Sequence, residues 1–298
     1  MNIRKFLNFF GVFSVLFVNV SAQNKALFDA GEEPRLISRQ FAFTEGPAVN
    51  KAGNIFFTDQ PNNRIWKYGN DGKLAVFMEN AGRPNGMYFD RKGNLIVCAD
   101  EHNRLWKISP DGKVKVLLKD LNGKLLNGPN DLWVDKKGGI YFTDPYYQRD
   151  YWTRTKTELE GQKVYYLVNS AVQPVIADET LKKPNGIVGT PDDNYLYVAD
   201  IGDGKIYKFN IDTDGTLDDR RVFAEQTADG LTLDEQGNLY AAGNGITIYN
   251  PKGQKIAHIA VPEPWTANVC FGGKDRRTLF ITASKAVYVM KMNVRGVE

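Results

Sequence analysis

Short apolar runs recur along the chain at near-regular intervals, each opened by a polar or small residue and broken by a glycine turn. The six occurrences are EGPAVNKAGNIFFTD from Glu45, NGMYFDRKGNLIVCAD from Asn85, NDLWVDKKGGIYFTD from Asn130, NGIVGTPDDNYLYVAD from Asn185, DGLTLDEQGNLYAAG from Asp229 and ANVCFGGKDRRTLFITA from Ala267. Their starts lie about 40 to 55 residues apart, the period of a propeller blade. Each repeat continues with a third run that alternates polar and apolar residues, such as Arg64–Tyr68, Arg104–Ile108 or Lys205–Phe209, which is the period of a half-buried strand. Turns follow at Asn70-Asp71-Gly72, Pro110-Asp111-Gly112, Asp214-Gly215 and Pro251-Lys252-Gly253. Their glycines suit hairpins that need positive φ. A fourth strand follows, as at Leu74–Phe77. No helical period interrupts the series.

The pattern predicts an all-β, six-bladed propeller of four-stranded antiparallel blades. The sixth repeat supplies three strands before the chain ends. Residues Arg35 to Phe41 are the predicted fourth, closing the ring and covering its edge. Residues 23–298 are then expected to form one domain.

Residues 1–22 have a different character. Arg4 and Lys5 precede an apolar run from Phe6 to Val20, and Val20-Ser21-Ala22 offers small residues for cleavage before Gln23. This is the layout of a secretory signal peptide, and the run is short for a spanning helix. The expected destination is periplasmic or secreted, with no membrane attachment after cleavage. The 298-residue chain is 42% hydrophobic and 24% charged, with a formal net charge of +3. Loss of Arg4 and Lys5 leaves a nearly neutral protein, which gives no electrostatic case for nucleic acid. A monomer or weak dimer is expected. Cys98 and Cys270 fall in apolar runs of distant repeats and are expected to be buried and unbridged.

Alternation of strand direction places all six repeat starts on one face of the ring, at the ends of the channel-lining strands. They are Glu45, Asn85, Asn130, Asn185, Asp229 and Ala267. Five carry side-chain oxygens in one register. One such residue would be read as a turn cap; five point to a shared hard-oxygen site for one divalent cation. Calcium is the expected ion, with magnesium, manganese or zinc as substitutes. Zinc is least favoured, because His102 and His258 are the only histidines and no Cys/His cluster exists. The same face receives His102, a candidate substrate-binding or proton-shuttling residue. It also receives the loop Asp144 to Gly161, with Tyr146, Tyr147, Tyr151 and Trp152. That loop could wall the channel mouth or pack on the next blade. No GxSxG elbow or Walker loop is present.

Glu45-Gly46-Pro47, Gly128-Pro129-Asn130-Asp131, Lys183-Pro184-Asn185-Gly186 and Asp229-Gly230-Leu231 together resemble the SMP-30/gluconolactonase family over the whole predicted propeller. The resemblance implies a calcium-dependent lactonase. Glu45, Asn185 and Asp229 would bind the ion, with Asn130 touching it or its shell. Asp229 would act as general base, with a hydroxide held by the ion as the alternative. Substrate contacts are expected from Asn85, His102, Asn130 and Tyr146. Some sugar-lactonase members carry an arginine where this chain has Gly128, which leaves the sugar open. Reactions open at this point are hydrolysis of a small lactone such as gluconolactone, of another ester or a phosphotriester, or none, in a calcium-binding propeller module.

Overall fold

The computed structural model describes residues 26–168 and 171–297; the expected leader, residues 1–22, lies outside them. Six four-stranded antiparallel sheets form in chain order. Within each, strands are lettered A to D from the axis outward. Blade 1 is Thr44–Val49, Ile55–Asp59, Arg64–Tyr68 and Leu74–Glu79. The A strands of the other blades are Pro84–Phe89, Leu132–Val134, Pro184–Gly189, Leu231–Leu233 and Thr266–Gly272. Each A strand touches the A strands of both neighbours, so the six make a closed inner ring. Blade 6 takes its D strand from Arg35–Ser38, paired Arg35 to Val289 and Leu36 to Tyr288. This is the closure read from the sequence, three residues shorter. Beyond it Phe41 is buried and meets Phe57 edge-on at 5.1 Å and Trp66 at 5.4 Å, so the closure is sealed between blades 6 and 1.

The apolar core lies between blades. One cluster packs Phe41, Phe57, Phe280 and Val289 across blades 6 and 1, and another packs Ile65, Met87, Leu95 and Val97 across blades 1 and 2. Inner strands are therefore buried on both faces, whereas D strands are mostly exposed, Val76, Val116 and Val222 among them. Cys98 and Cys270 are buried and free, on blades 2 and 6. Among the described residues the one named helical element is a three-residue 3-10 turn, Asp100–His102, and no helix is long and apolar enough to cross a membrane.

Two side-chain devices repeat. At the A–B turns, Asn50, Asp90, Asp135 and Asp234 accept backbone N–H groups from the turn they open, as in Asp90 Oδ1 to Asn94 N at 2.8 Å. At the far end of strand B, Asp59, Asp144 and Asp200 each accept two backbone N–H groups from the segment leading into their own strand A. For Asp200 these are Lys182 N and Lys183 N, both at 2.8 Å. These carboxylates fix the entry to strand A, and so the height at which each repeat-start side chain meets the axis.

Candidate active site

The repeat-start residues meet because the inner ring is packed backbone to backbone. Glycine follows the polar residue in four blades, at Gly46, Gly86, Gly186 and Gly230. A Cβ on Gly46 would stand 2.0 Å from Asn85 O, and one on Gly186 would stand 1.9 Å from Asp229 O. Only the absent side chain allows neighbouring strands this close. Pairing also slips beside these residues, between Glu45 and Ala48, Pro84 and Met87, Pro184 and Ile187, and Thr266 and Asn268. Such bulges re-aim side chains.

The result is a cavity of about 440 Å³ lined by Glu45, Asn85, Asn130, Asn185 and Asp229, with Phe43, Gln60, Pro61, Tyr147, Arg149, Ile201 and Trp265 above them. All five repeat-start polar side chains expected at the axis are brought together here; Glu45, Asn85, Asn130 and Asn185 are buried and Asp229 is partly buried. Ala267 is not among the lining residues. On blade 6 the polar position is one residue later: Asn268 Nδ2 donates to Glu45 Oε2 at 3.0 Å. Trp265 Nε1 donates to Asp229 Oδ2 at 2.6 Å and fixes that carboxylate. Asn185 Nδ2 donates to the Tyr147 hydroxyl at 3.1 Å. The side-chain amides of Asn85 and Asn130 have no hydrogen-bond partner among the described residues.

Burial raises the Glu45 carboxyl well above the usual range, and the neighbouring Asp229 charge adds to the shift. Burial pushes Asp229 up to about 6, against the Trp265 and Asn185 hydrogen bonds and the field of Arg149. Asp131, buried within the inner ring where Ile187 N–H of blade 4 donates to it, is pushed up to about 7 by burial, with Asp229 adding repulsion. Two adjacent buried carboxylates without a hydrogen-bonded cation are costly. A divalent cation between them would remove that cost. The donors available are carboxylate and amide oxygens, which suit calcium better than zinc. Among the described residues no three His, Cys, Asp or Glu side chains group as a metal cluster; any ion here depends on the asparagines.

Two expected substrate contacts are not brought to the cavity. His102 is exposed on the 3-10 turn after strand B of blade 2 and does not line it. Loop position put it on the correct face, but the turn ends in the left-handed residue Asn103, and His102 faces solvent. Tyr146 bonds Gln148 and lies beside Arg154 and Trp152, whereas its neighbour Tyr147 lines the cavity. The loop does both things the sequence left open. Tyr147 and Arg149 wall the mouth, while Tyr151 and Trp152 dock on Asp100 of blade 2, the latter through Trp152 Nε1 to Asp100 O at 3.0 Å. Gly128 makes room for this: a Cβ there would stand 2.9 Å from the Trp152 ring.

The family model for the SMP-30/Gluconolactonase/LRE-like region matches residues 43–285. A gluconolactonase of Zymomonas mobilis is 28% identical over 91% of this chain and 84% of its own. A solved gluconolactonase from Xanthomonas campestris superposes with a TM-score of 0.81 at 29% identity, covering 86% of this chain and 88% of its own. The diisopropyl-fluorophosphatase of Loligo vulgaris is 28% identical over 55% of this chain and 56% of its own. With these matches spanning the blades that build the cavity, the chain belongs to the SMP-30/gluconolactonase/LRE-like family.

Proposed function

We propose that this protein hydrolyses small lactones, with aldonolactones such as gluconolactone as the substrate class and a divalent cation, calcium first, held by Glu45, Asn130, Asn185 and Asp229. The carrying observation is that these four side chains, from four blades, meet in one cavity together with Asn85, and that the amides of Asn85 and Asn130 are unpartnered. The similarity to gluconolactonases over most of the chain supports the same reading. Bound there, the cation would supply Lewis-acid polarisation of the lactone carbonyl.

The chain's own groups do the rest. Asp229, held by Trp265, orients a water and accepts its proton. Asn185, with its Nδ2 engaged by Tyr147, has Oδ1 left as a donor atom toward the cation. Asn85 and Asn130 hold lactone oxygens through their amides. Phe43, Tyr147 and Trp265 give the ring apolar walls and exclude bulk water from the carbonyl. We further propose export, with cleavage between Ala22 and Gln23.

The test is initial-rate hydrolysis of glucono-1,5-lactone, an aliphatic γ-lactone and a phosphotriester, each with calcium and with excess chelator. Calcium-dependent opening of the sugar lactone, lost in Asp229→Ala with the melting temperature kept, supports the proposal. Preference for the phosphotriester would assign a different hydrolase. Stabilisation by calcium without any turnover would assign a binding module.

A further inference from the structure

Asp100 departs from the pattern of its own repeat. Asp59, Asp144 and Asp200 occupy the same place at the end of strand B and each accept two backbone N–H groups of their own blade. Asp100 Oδ2 instead accepts three side chains from two other blades: Gln60 Nε2 at 3.2 Å, Arg149 Nε at 2.9 Å and the Tyr151 hydroxyl at 2.6 Å. It is 1% exposed, so this is a built contact. Its partners Gln60 and Arg149 are both cavity-lining residues.

Arg149 is therefore hung by its inner nitrogen. Its two terminal amino groups, Nη1 and Nη2, have no hydrogen-bond partner among the described residues, and the side chain lines the cavity mouth. Lys183, from the segment entering blade 4, lies on the same tyrosine: its Nζ is 3.7 Å from the Tyr147 ring centroid and Arg149 Cζ is 5.7 Å away. Lys183 forms no salt bridge among the described residues. Arg83 and Arg154 flank the same loop, over Tyr151 and Trp152. The acids facing these four cations are Asp100, paired with Arg149, Glu101 at 3.9 Å from Arg83, Asp144 and Glu158 beside Arg154, and Asp229 across the cavity from Arg149.

We propose that Arg149, positioned by Asp100 and assisted by Lys183, selects lactones that carry an anionic substituent, a carboxylate, phosphate or sulfonate, at the end remote from the reacting carbonyl. A guanidinium with a free terminal fork is built for bidentate contact with such a group. The neutral sugar lactone is then a slower representative of the true substrate class. This rests on the lactonase reading for its rates but not for its binding.

Glucono-1,5-lactone and its 6-phosphate share one ring and differ in that substituent alone. The phosphorylated lactone is expected to show a kcat/KM about 10- to 100-fold higher, mostly through KM, the span of a charge-assisted pair. The ratio is expected to fall to within about threefold of one in Arg149→Met, to fall severalfold in Lys183→Met, and to shrink with added salt in the wild type. Calorimetric titration with gluconate and 6-phosphogluconate reads the same preference without turnover. A wild-type ratio near one with equal binding of the two acids overturns the inference, as does a loss in Arg149→Met that is equal for both lactones. Should Arg149→Met fail to fold, the wild-type ratio and its salt dependence decide. Absence of hydrolysis of either lactone overturns the lactonase reading instead, and the calorimetric comparison still rules on Arg149.

Discussion

Gly186→Ala puts the inner-ring packing under direct strain. The new Cβ would sit 1.9 Å from Asp229 O and 2.9 Å from Gly230 Cα. Carbon and oxygen in contact need more than 3 Å, so strands A of blades 4 and 5 must separate by about 1 Å. Both obstacles are backbone, and no rotamer change relieves them. Asn185 precedes the new methyl and Asp229 owns the clashing carbonyl, so the shift falls between two residues proposed to share an ion. Overpacking of this kind costs about 3 kcal/mol, at the upper end of its range. For a chain of this size that lowers the melting temperature by about 5–10 °C. A displacement of 1 Å between cooperating groups costs about 100-fold in rate. Gly69→Ala is the control, since its Cβ would meet the tip of the exposed Asp71 side chain, which can swing away. Melting by scanning fluorimetry and lactone hydrolysis by acid release are the assays. A Gly186→Ala protein with wild-type melting and kcat/KM within threefold would refute the claim that close blade contact sets the site.

Two further outcomes follow from the ring and its buried acids. Phe41→Ala should cost about 3–5 kcal/mol in denaturant unfolding, because it empties the aromatic seal between blades 6 and 1; a loss under 1 kcal/mol would show that the closing segment is dispensable. Burial pushes Asp144 up to about 7 against its two backbone N–H bonds. A carboxyl whose folded pKa exceeds its unfolded value of about 4 stabilises the fold fully below pH 4 and loses that contribution as pH rises through 7. Relative to Asp144→Asn, the wild-type protein should therefore lose up to about 3 kcal/mol between pH 5 and pH 8. A difference that stays flat or grows over that window contradicts the shift.

Much of the site was legible because the repeat supplies an internal frame. Glu45, Asn85, Asn130, Asn185 and Asp229 share one register, and closed-ring geometry turns a shared register into a shared point. The features missed are those outside the frame. Asn268 lies one residue past the blade 6 register, and the bulge between Thr266 and Asn268 turns it inward to Glu45. Trp265 precedes its strand, outside the repeat as read, and its blade 1 counterpart Phe43 lines the same cavity. Tyr147, rather than Tyr146, walls the mouth, because successive residues of an extended loop face opposite ways and composition does not say which faces in. Arg149 owes its place to the carboxylate of Asp100, 49 positions away and on another blade. His102 follows that aspartate on a turn whose direction no periodicity encodes.

Anomalous diffraction from crystals grown with manganese or calcium examines the whole proposal at its narrowest point. One peak is expected in the channel, with carboxylate oxygens of Glu45 and Asp229 and the Asn185 amide oxygen all within about 2.0–2.6 Å of it. A saturating concentration that leaves this position without a peak, or places the ion where those three side chains cannot reach it, contradicts the account.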